Sequence, residues 1–415
     1  MKKTFVMAAA AAAIALATTG CGKGALIDLA MSGASREARA TGMRVGDKMI
    51  LAGDMHCHVL PPDSPSHVSR DLADTIARAE KEALDFVVLT PHVPGDFQTD
   101  DARRTWVKES QAELRARIAA IKTGVVVIPG FEYTDRRWGH LGMAFADVDA
   151  VLDAVSAVDA QQEPTRFFEQ WVARGGILTI NHPMNRPLKD PPFSELGYNL
   201  SWRAFHGMEV PAEIEWVTTH AQTIETFNAS VTHLRDQFIV GEEDRSLREA
   251  SHVVDRLARQ QHRRIAAVGG SDSHGAWLRP TTFVLASERT LAGIHDGLVS
   301  ARTCVRGPEA CSLEIRHRGS GSPWAHVGDE VPSDARPKAD PAADILEARA
   351  TGGDVTLIVN GEIAGTAESG DTMTVRLPHG RCAIVRAIVG RSWSSGIYVG
   401  CRELAAASPA DMQTD

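Results

Sequence analysis

Gly53-Asp54-Met55-His56-Cys57-His58-Val59-Leu60-Pro61-Pro62-Asp63 is the stretch from which the rest of the chain can be read. In a strand, alternate side chains share a face, so His56 and His58 point the same way and Cys57 points into the opposite layer. Two imidazoles on one face can hold one metal ion. Pro61-Pro62 ends the strand and lets the Asp63 carboxylate turn back towards the same mouth. A His-x-His pair also occurs in half-buried strands with no metal, so the remainder of the sequence has to decide between the two readings.

Outward from that stretch, a rhythm repeats. A first strand is expected over Met49 to Gly53. Val68, Leu72, Ile76, Ala79 and Ala83 recur at helical spacing before the apolar run Phe86-Val87-Val88-Leu89. Leu114, Ile118 and Ile121 precede Val125 to Ile128 in the same way, and Phe167, Phe168, Trp171 and Val172 precede Ile177 to Ile180. Leu247, Ala250, Val254 and Leu257 precede Ile265 to Val268. Helical periods alternating with continuous apolar runs predict a parallel α/β sheet buried on both faces, and this many units predicts a closed or nearly closed barrel.

The residues just past each run carry chemistry: Thr90-Pro91-His92, then Pro129-Gly130-Phe131-Glu132, Asn181-His182-Pro183 and Gly269-Gly270-Ser271-Asp272-Ser273-His274. In parallel α/β folds the carboxyl ends of the strands gather on one face, so these imidazoles and carboxylates are expected to meet in one pocket. After Val299 the composition changes. Arg318 to Asp354 is rich in Gly, Ser, Pro and Ala, and beyond it lie short turn-bounded runs at Val355–Val359, Met373–Leu377, Ala383–Val389 and Ile397–Val399, with Asn360-Gly361 as a hairpin turn. These predict a small C-terminal β-sandwich.

The 415 residues carry a formal net charge of -9, which argues against a nucleic-acid polymer as partner. Met1-Lys2-Lys3, the apolar run Phe5 to Ala17 and Thr18-Thr19-Gly20-Cys21 come in the order of a secretory signal. Gly20-Cys21 resembles a bacterial lipobox, with Cys21 as the lipidated residue; a soluble periplasmic protein cut nearby is the alternative. Either way the chain is expected to be exported. Of the other cysteines, Cys304 with Cys311 and Cys382 with Cys401 are expected disulfides by proximity, leaving Cys57 as a small core residue.

The motifs, taken in order, resemble the PHP (polymerase and histidinol phosphatase) metallohydrolase family, and within it the carbaryl-hydrolase-like CehA/McbA branch. The resemblance spans about Leu51 to Pro308 and rests on Gly53-Asp54-Met55-His56-Cys57-His58 with Asp63, Asp85 to His92, Pro129 to Glu132, Gly139-His140, Asn181-His182-Pro183 and Gly270 to His274. It implies a distorted seven-stranded β/α barrel over residues 51–310; the residues themselves put a signal segment (1–20) and a tether (21–50) before it and the β-sandwich (311–402) and a tail (403–415) after it. It also implies two or three divalent ions, zinc, manganese or iron. His56, His58, Glu132 and Asp272 would hold the first, Glu132 would bridge to a second on His140 and His182, and Asp63, His92 and His274 would form a third site or act on the substrate.

The family pattern has Asp immediately before the second-motif histidine, where this chain has Pro91. Asp63, His92 and His274 therefore remain alternative proton donors to a leaving group. Arg186 and Lys189 read either as a phosphate grip or as a solvated basic loop. The function these readings imply is hydrolysis of small phosphate diesters or monoesters outside the inner membrane. Carboxyl or carbamate ester hydrolysis on the same metals, or ligand binding by a non-catalytic lipoprotein, are the alternatives.

Overall fold

The computed structural model describes residues 42–185, 200–236, 241–275, 277–319, 321–333 and 343–401. The residues expected to form the signal segment and lipidation site at Cys21, and the candidate phosphate contacts Arg186 and Lys189, lie outside them. No helix among the described residues is long and apolar enough to cross a membrane.

The expected alternation is present. Strands β1 (Lys48–Cys57), β2 (Phe86–Leu89), β3 (His92–Pro94), β4 (Val126–Asp135), β5 (Gly139–Ala144), β6 (Ile177–Asn181), β7 (Thr223–Asn228), β8 (Ala266–Gly270), β9 (Thr282–Ala286) and β10 (Thr303–Val305) build one curled sheet. Around them lie α1 (Leu72–Lys81), α2 (Asp101–Ala120), α3 (Val148–Ala154), α4 (Ala157–Gln162), α5 (Arg166–Ala173), α6 (Ala212–His220), α7 (Ala229–Asp236), α8 (Glu242–Gln261) and α9 (Leu291–Val299). Helix α1 shows why: Asp71 caps it by accepting from the Asp74 amide at 2.8 Å, and Leu72, Ile76 and Ala79 bury one stripe against β1 and β2. Helix α5 does the same with Phe167, Phe168 and Trp171, all buried.

Pairing runs β10-β9-β1-β2-β4-β5-β6-β7-β8. The contacts β1/β2, β2/β4, β6/β7 and β7/β8 are parallel, whereas β5 and β9 run against their neighbours. This ladder has nine strands where seven were expected. Beyond the five runs read in the sequence, the added strands are Gly139–Ala144, which doubles back on β4, Thr223–Asn228, and Thr282–Ala286 with Thr303–Val305, which extend the sheet beyond β1. The first strand runs from Lys48 to Cys57, so the run at Met49 to Gly53 and the segment bearing His56 are one strand.

The seam between β8 and the β9–β10 pair is joined by side chains. Gly269 N donates to Thr282 Oγ1 at 2.6 Å and Thr303 Oγ1 donates to Ala267 O at 2.7 Å. At the mouth, backbone bonds finish the curl: Asp272 N donates to His56 O at 2.8 Å and His58 N to Ser273 O at 3.0 Å. The ends of β1 and β8, far apart in sequence, are thereby fixed against each other.

The C-terminal strands are β11 (Glu314–His317), β12 (Ala343–Arg349), β13 (Val355–Val359), β14 (Glu362–Ala367), β15 (Met373–Pro378), β16 (Ala383–Val389), β17 (Ser392–Ser394) and β18 (Ile397–Val399). Asn360-Gly361 makes the β13–β14 turn with φ of 54° and 92°, the left-handed pair that such a hairpin requires. One sheet contains β11, β12 and β15; the other, β14-β13-β16, reaches the barrel through β17, whose Ser394 pairs with Cys304 of β10. Hydrogen bonding thus crosses the expected boundary near residue 310. The core crosses it too, since Ile50, Ala52, Phe283 and Leu285 share a cluster with Leu346, Val375, Leu357 and Val385. Disulfides join Cys304 to Cys311 and Cys382 to Cys401, and Cys57 is free and buried.

Candidate metal centre

Most of the proposed ligands sit at or just past a strand end, with Glu132 inside β4. His56 lies near the end of β1 and His58 just past it, His92 opens β3 shortly after β2, Glu132 lies on β4 opposite His92, and His140 is on β5. His182 comes directly after β6, and Asp272 and His274 come after β8. His182 and Asp272 take left-handed backbone, φ 31° and 50°, uncommon for residues with a side chain and a recurrent feature of functional sites.

The side chains meet. Glu132, 1% exposed, has Oε1 at 3.1 Å from His56 Nε2, 3.2 Å from His140 Nδ1 and 3.5 Å from His182 Nε2, while its Oε2 lies 3.6 Å from His92 Nε2. Asp272 Oδ1 lies 3.2 Å from His58 Nε2 and 3.6 Å from His56 Nε2. Three groups place ligand atoms within 4.8 Å of one another: His56 with Glu132 and His182, His56 with His58 and Asp272, and His58 with His92 and His274. The ring of His58 lies 4.1 Å from that of His92 and 4.0 Å from that of His274, centre to centre.

Asp63 lies behind two of the imidazoles and belongs to none of the three groups. Its Oδ2 lies 3.2 Å from His58 Nδ1, and its Oδ1 lies 2.7 Å from His92 Nδ1 while accepting from the His92 amide at 3.1 Å. Both oxygens face the backs of imidazoles, leaving the Nε2 atoms of His58 and His92 directed at the cluster. In the third group it is His58 that accompanies His92 and His274.

Further buried residues support the ligands from behind, and the sequence reading assigned them no role. Glu225 on β7 lies 3.1 Å from His56 Nδ1 and accepts from the His182 amide at 2.6 Å. Asn181 donates to Glu132 Oε1 at 2.8 Å, and Asn228 donates to Asp272 Oδ2 at 3.1 Å and to Glu225 Oε2 at 3.2 Å. Asp54, fully buried, accepts from the amides of His56 and Ser271 at 3.1 and 2.8 Å and from the Ser271 hydroxyl, tying β1 to the β8 loop. No clear signal in the sequence marks Glu225, which sits in Thr223-Ile-Glu-Thr-Phe-Asn228, where only Ile224 and Phe227 are apolar.

The electrostatics show what the pocket accommodates. Burial alone would depress every imidazole and raise every carboxyl. Against that burial, His56 stands well above its ordinary value because Asp272, Glu132 and Glu225 surround it, and His58 is pushed up to about 9 by Asp272 and Asp63. Glu132, Asp272 and Asp63 are driven down, each overcoming burial through neighbouring histidines. Burial wins at His274, lowered to about 3, and it also lowers His140. Buried carboxylates this close together call for positive charge. The donor set of imidazole nitrogens and carboxylate oxygens suits divalent zinc, manganese or iron, with neutral rings completing each shell without surplus negative charge. The carboxylates and carbonyls behind the rings fix their orientation, as is usual for metal-ligating histidine.

No protein-family model matches the chain, and no curated protein matches it. Among solved structures it is similar to a two-domain protein from Bacteroides vulgatus containing a predicted PHP-like metal-dependent phosphoesterase. That likeness has 17% identity and a TM-score of 0.43, and covers 88% of this chain and 98% of the other. It is also similar to the lesion-specific endonuclease Q of Pyrococcus furiosus (12% identity, 60% and 56% covered, TM-score 0.35) and to PsfC of Pseudomonas syringae (16%, 60% and 88%, TM-score 0.35). Likenesses this distant assign neither activity nor substrate to this chain, and the case for the site is its own geometry.

Proposed function

We propose that this protein is a metal-dependent phosphoesterase acting on small phosphate diesters or monoesters. The observation that carries the reading is the convergence of His56, His58, His92, Glu132, His182, Asp272 and His274 into three overlapping ligand groups at one mouth. His56, His58, Glu132 and Asp272 would hold one ion, Glu132 with His140 and His182 a second, and His58, His92 and His274 a third. Bound divalent ions lower the pKa of water and neutralise phosphoryl oxygens. The chain's own part is to aim and to exclude. Asp63 sets the rings of His58 and His92, Glu225 that of His56, the Leu200 carbonyl that of His182 at 3.0 Å, and Asn181 and Asn228 the two carboxylates.

Where no ion occupies the third group, His92 is the favoured one of the alternative proton donors. Asp63 has both oxygens on histidines, and burial lowers His274 to about 3, whereas the His92 side chain is 28% exposed. Arg186 and Lys189, shortly after His182, remain the proposed phosphate grip. The signal-like segment supports export, with Cys21 as the lipid attachment point and the barrel on the periplasmic side; the family branch that the sequence resembles is the PHP family's CehA/McbA group.

The test is one substrate panel on metal-loaded protein: p-nitrophenyl phosphate, bis-p-nitrophenyl phosphate and p-nitrophenyl acetate. Turnover of either phosphate, abolished by chelation, is the expected result. Acetate turnover without phosphate turnover would instead select the carboxyl or carbamate ester reading, and metal content without turnover on any ester would select the binding protein.

A further inference from the structure

Helix α8 turns Val254, Leu257 and Ala258 into the core and leaves Arg256 and Arg259 exposed on its outer face. Side chains three residues apart on a helix are neighbours, so these two guanidinium groups repel each other. Arg381, exposed in the turn between β15 and β16, meets them from the C-terminal sheet. Its backbone is held on both sides: the Arg381 amide donates to Pro378 O at 3.3 Å, and Cys382 is bridged to Cys401. The roots of the three side chains are therefore fixed, two by the core and one by the disulfide.

Arg256, Arg259, Gln260, Arg381 and Cys382 line a cavity of about 320 Å³, with three arginines and no carboxylate among them. None of the three arginine side chains has a hydrogen-bond or ion-pair partner among the described residues. The nearest acid along the chain, Asp255, is 2% exposed, is paired with Arg386 and does not line the cavity. The chain is acidic overall, with a formal net charge of -9, so this is a local concentration and not a sample of a generally basic surface. Three like charges around one cavity repel, and a bound anion relieves that repulsion.

We propose that this cavity binds a doubly charged tetrahedral oxyanion, a phosphoryl or sulfuryl group, gripped by Arg256, Arg259 and Arg381, with orthophosphate as the probe. A guanidinium is always charged, and its planar fork matches such a group two oxygens at a time. Gln260 brings an amide donor to the same cavity. The cavity stands apart from the candidate metal centre: α8 leads through residues 262–265 into the first end of β8, and Asp272 and His274 follow the other end. Binding here is therefore independent of whether that centre hydrolyses phosphate esters.

The experiment is hydrogen exchange read by mass spectrometry on the full chain, in orthophosphate against chloride at matched ionic strength. Wild type is compared with Glu132→Gln, with the double variant Arg256→Ala and Arg259→Ala, with Arg381→Ala, and with Arg248→Ala. Phosphate should slow exchange over residues 254–262 and 378–384 in wild type and equally in Glu132→Gln, separating this site from phosphate held at the metals. The double variant should need at least about tenfold more phosphate for the same slowing, each exposed charge contact being worth up to about fivefold. Arg381→Ala should weaken the slowing over 254–262 as well as over its own turn, because helix and sheet share one anion. Arg248→Ala removes an equal charge from the same helix without touching the cavity, so its response should match wild type. Sulfate should substitute, and planar monovalent nitrate should not. No slowing, slowing that survives the double variant, or equal weakening by Arg248→Ala overturns the site; nitrate acting as well as phosphate overturns the tetrahedral assignment. Protection by phosphatidylglycerol vesicles without protection by free orthophosphate would overturn the free ion in favour of a lipid headgroup.

Discussion

Replacing Glu225 by Gln is the sharpest perturbation of the site that leaves every proposed ligand in place. Glu225 serves as acceptor three times: at 3.1 Å from His56 Nδ1, at 2.6 Å from the His182 amide and at 3.2 Å from Asn228 Nδ2. With metal on Nε2, the Nδ1 of His56 carries its proton and needs an acceptor. Glutamine keeps one acceptor oxygen and replaces the other with a donor. If the oxygen stays with the 2.6 Å bond to His182, the amide NH2 meets His56 Nδ1–H donor to donor. One charge-assisted hydrogen bond is lost, about 1.5–3 kcal/mol, and losing a partner behind a ligand typically costs about 10–100-fold in metal affinity. Competition with a chromophoric chelator, read against wild type near neutral pH, measures that affinity directly. The substitution is nearly isosteric, so thermal melting of the chelated protein reports separately on the fold. Affinity within about twofold of wild type would refute the reasoning that Glu225 orients His56.

The other predictions concern the same site and the fold around it. Glu132→Gln should remove metal and lower hydrolysis by more than about 100-fold, since a direct ligand outweighs a partner behind one; elemental analysis and the ester panel check both. Gly270→Ala would set a methyl 2.1 Å from Glu225 Oε1 and 2.3 Å from His56 Cβ, so the chelated protein should melt lower and bind metal poorly, as melting and titration will show. In metal-free protein, His58, raised to about 9, contributes stability that is fully present below its unfolded value near pH 6.5 and is lost as pH rises through about 9. Metal binding needs that proton gone and strengthens over the same window, so melts with and without EDTA should diverge as pH rises. Removing the Cys382–Cys401 bridge by serine substitution opens a loop spanning 19 residues, for which chain entropy gives a loss of about 3 kcal/mol in urea unfolding.

Much of the curled sheet and of its candidate ligands was legible in the chain, for a reason visible in particular residues. Phe86 to Leu89 and Ile177 to Ile180 are apolar or small throughout because both faces of those strands are covered, and a polar residue directly beyond such a run stands at the mouth of the sheet by construction. His56, His92, His182 and Asp272 were therefore marked by position alone. Residues in the strands without that signature were not. Gly139–Ala144 carries small residues that let it fold back on β4, and Thr223–Asn228 mixes threonine, glutamate and asparagine, so neither announces itself as a strand, and Glu225 was missed with the second.

Sequence alone determined that imidazoles and carboxylates come after successive buried strands, since that order is written in the covalent chain and in the period of its apolar side chains. Tertiary structure decided which atom of each faces which neighbour. It set Asp63 behind His58 and His92, placed Glu225 behind His56, and tied the C-terminal sheets to the curled sheet through β10 and β17. Those outcomes depend on distances between segments far apart along the backbone, which local periodicity does not encode and only packing sets.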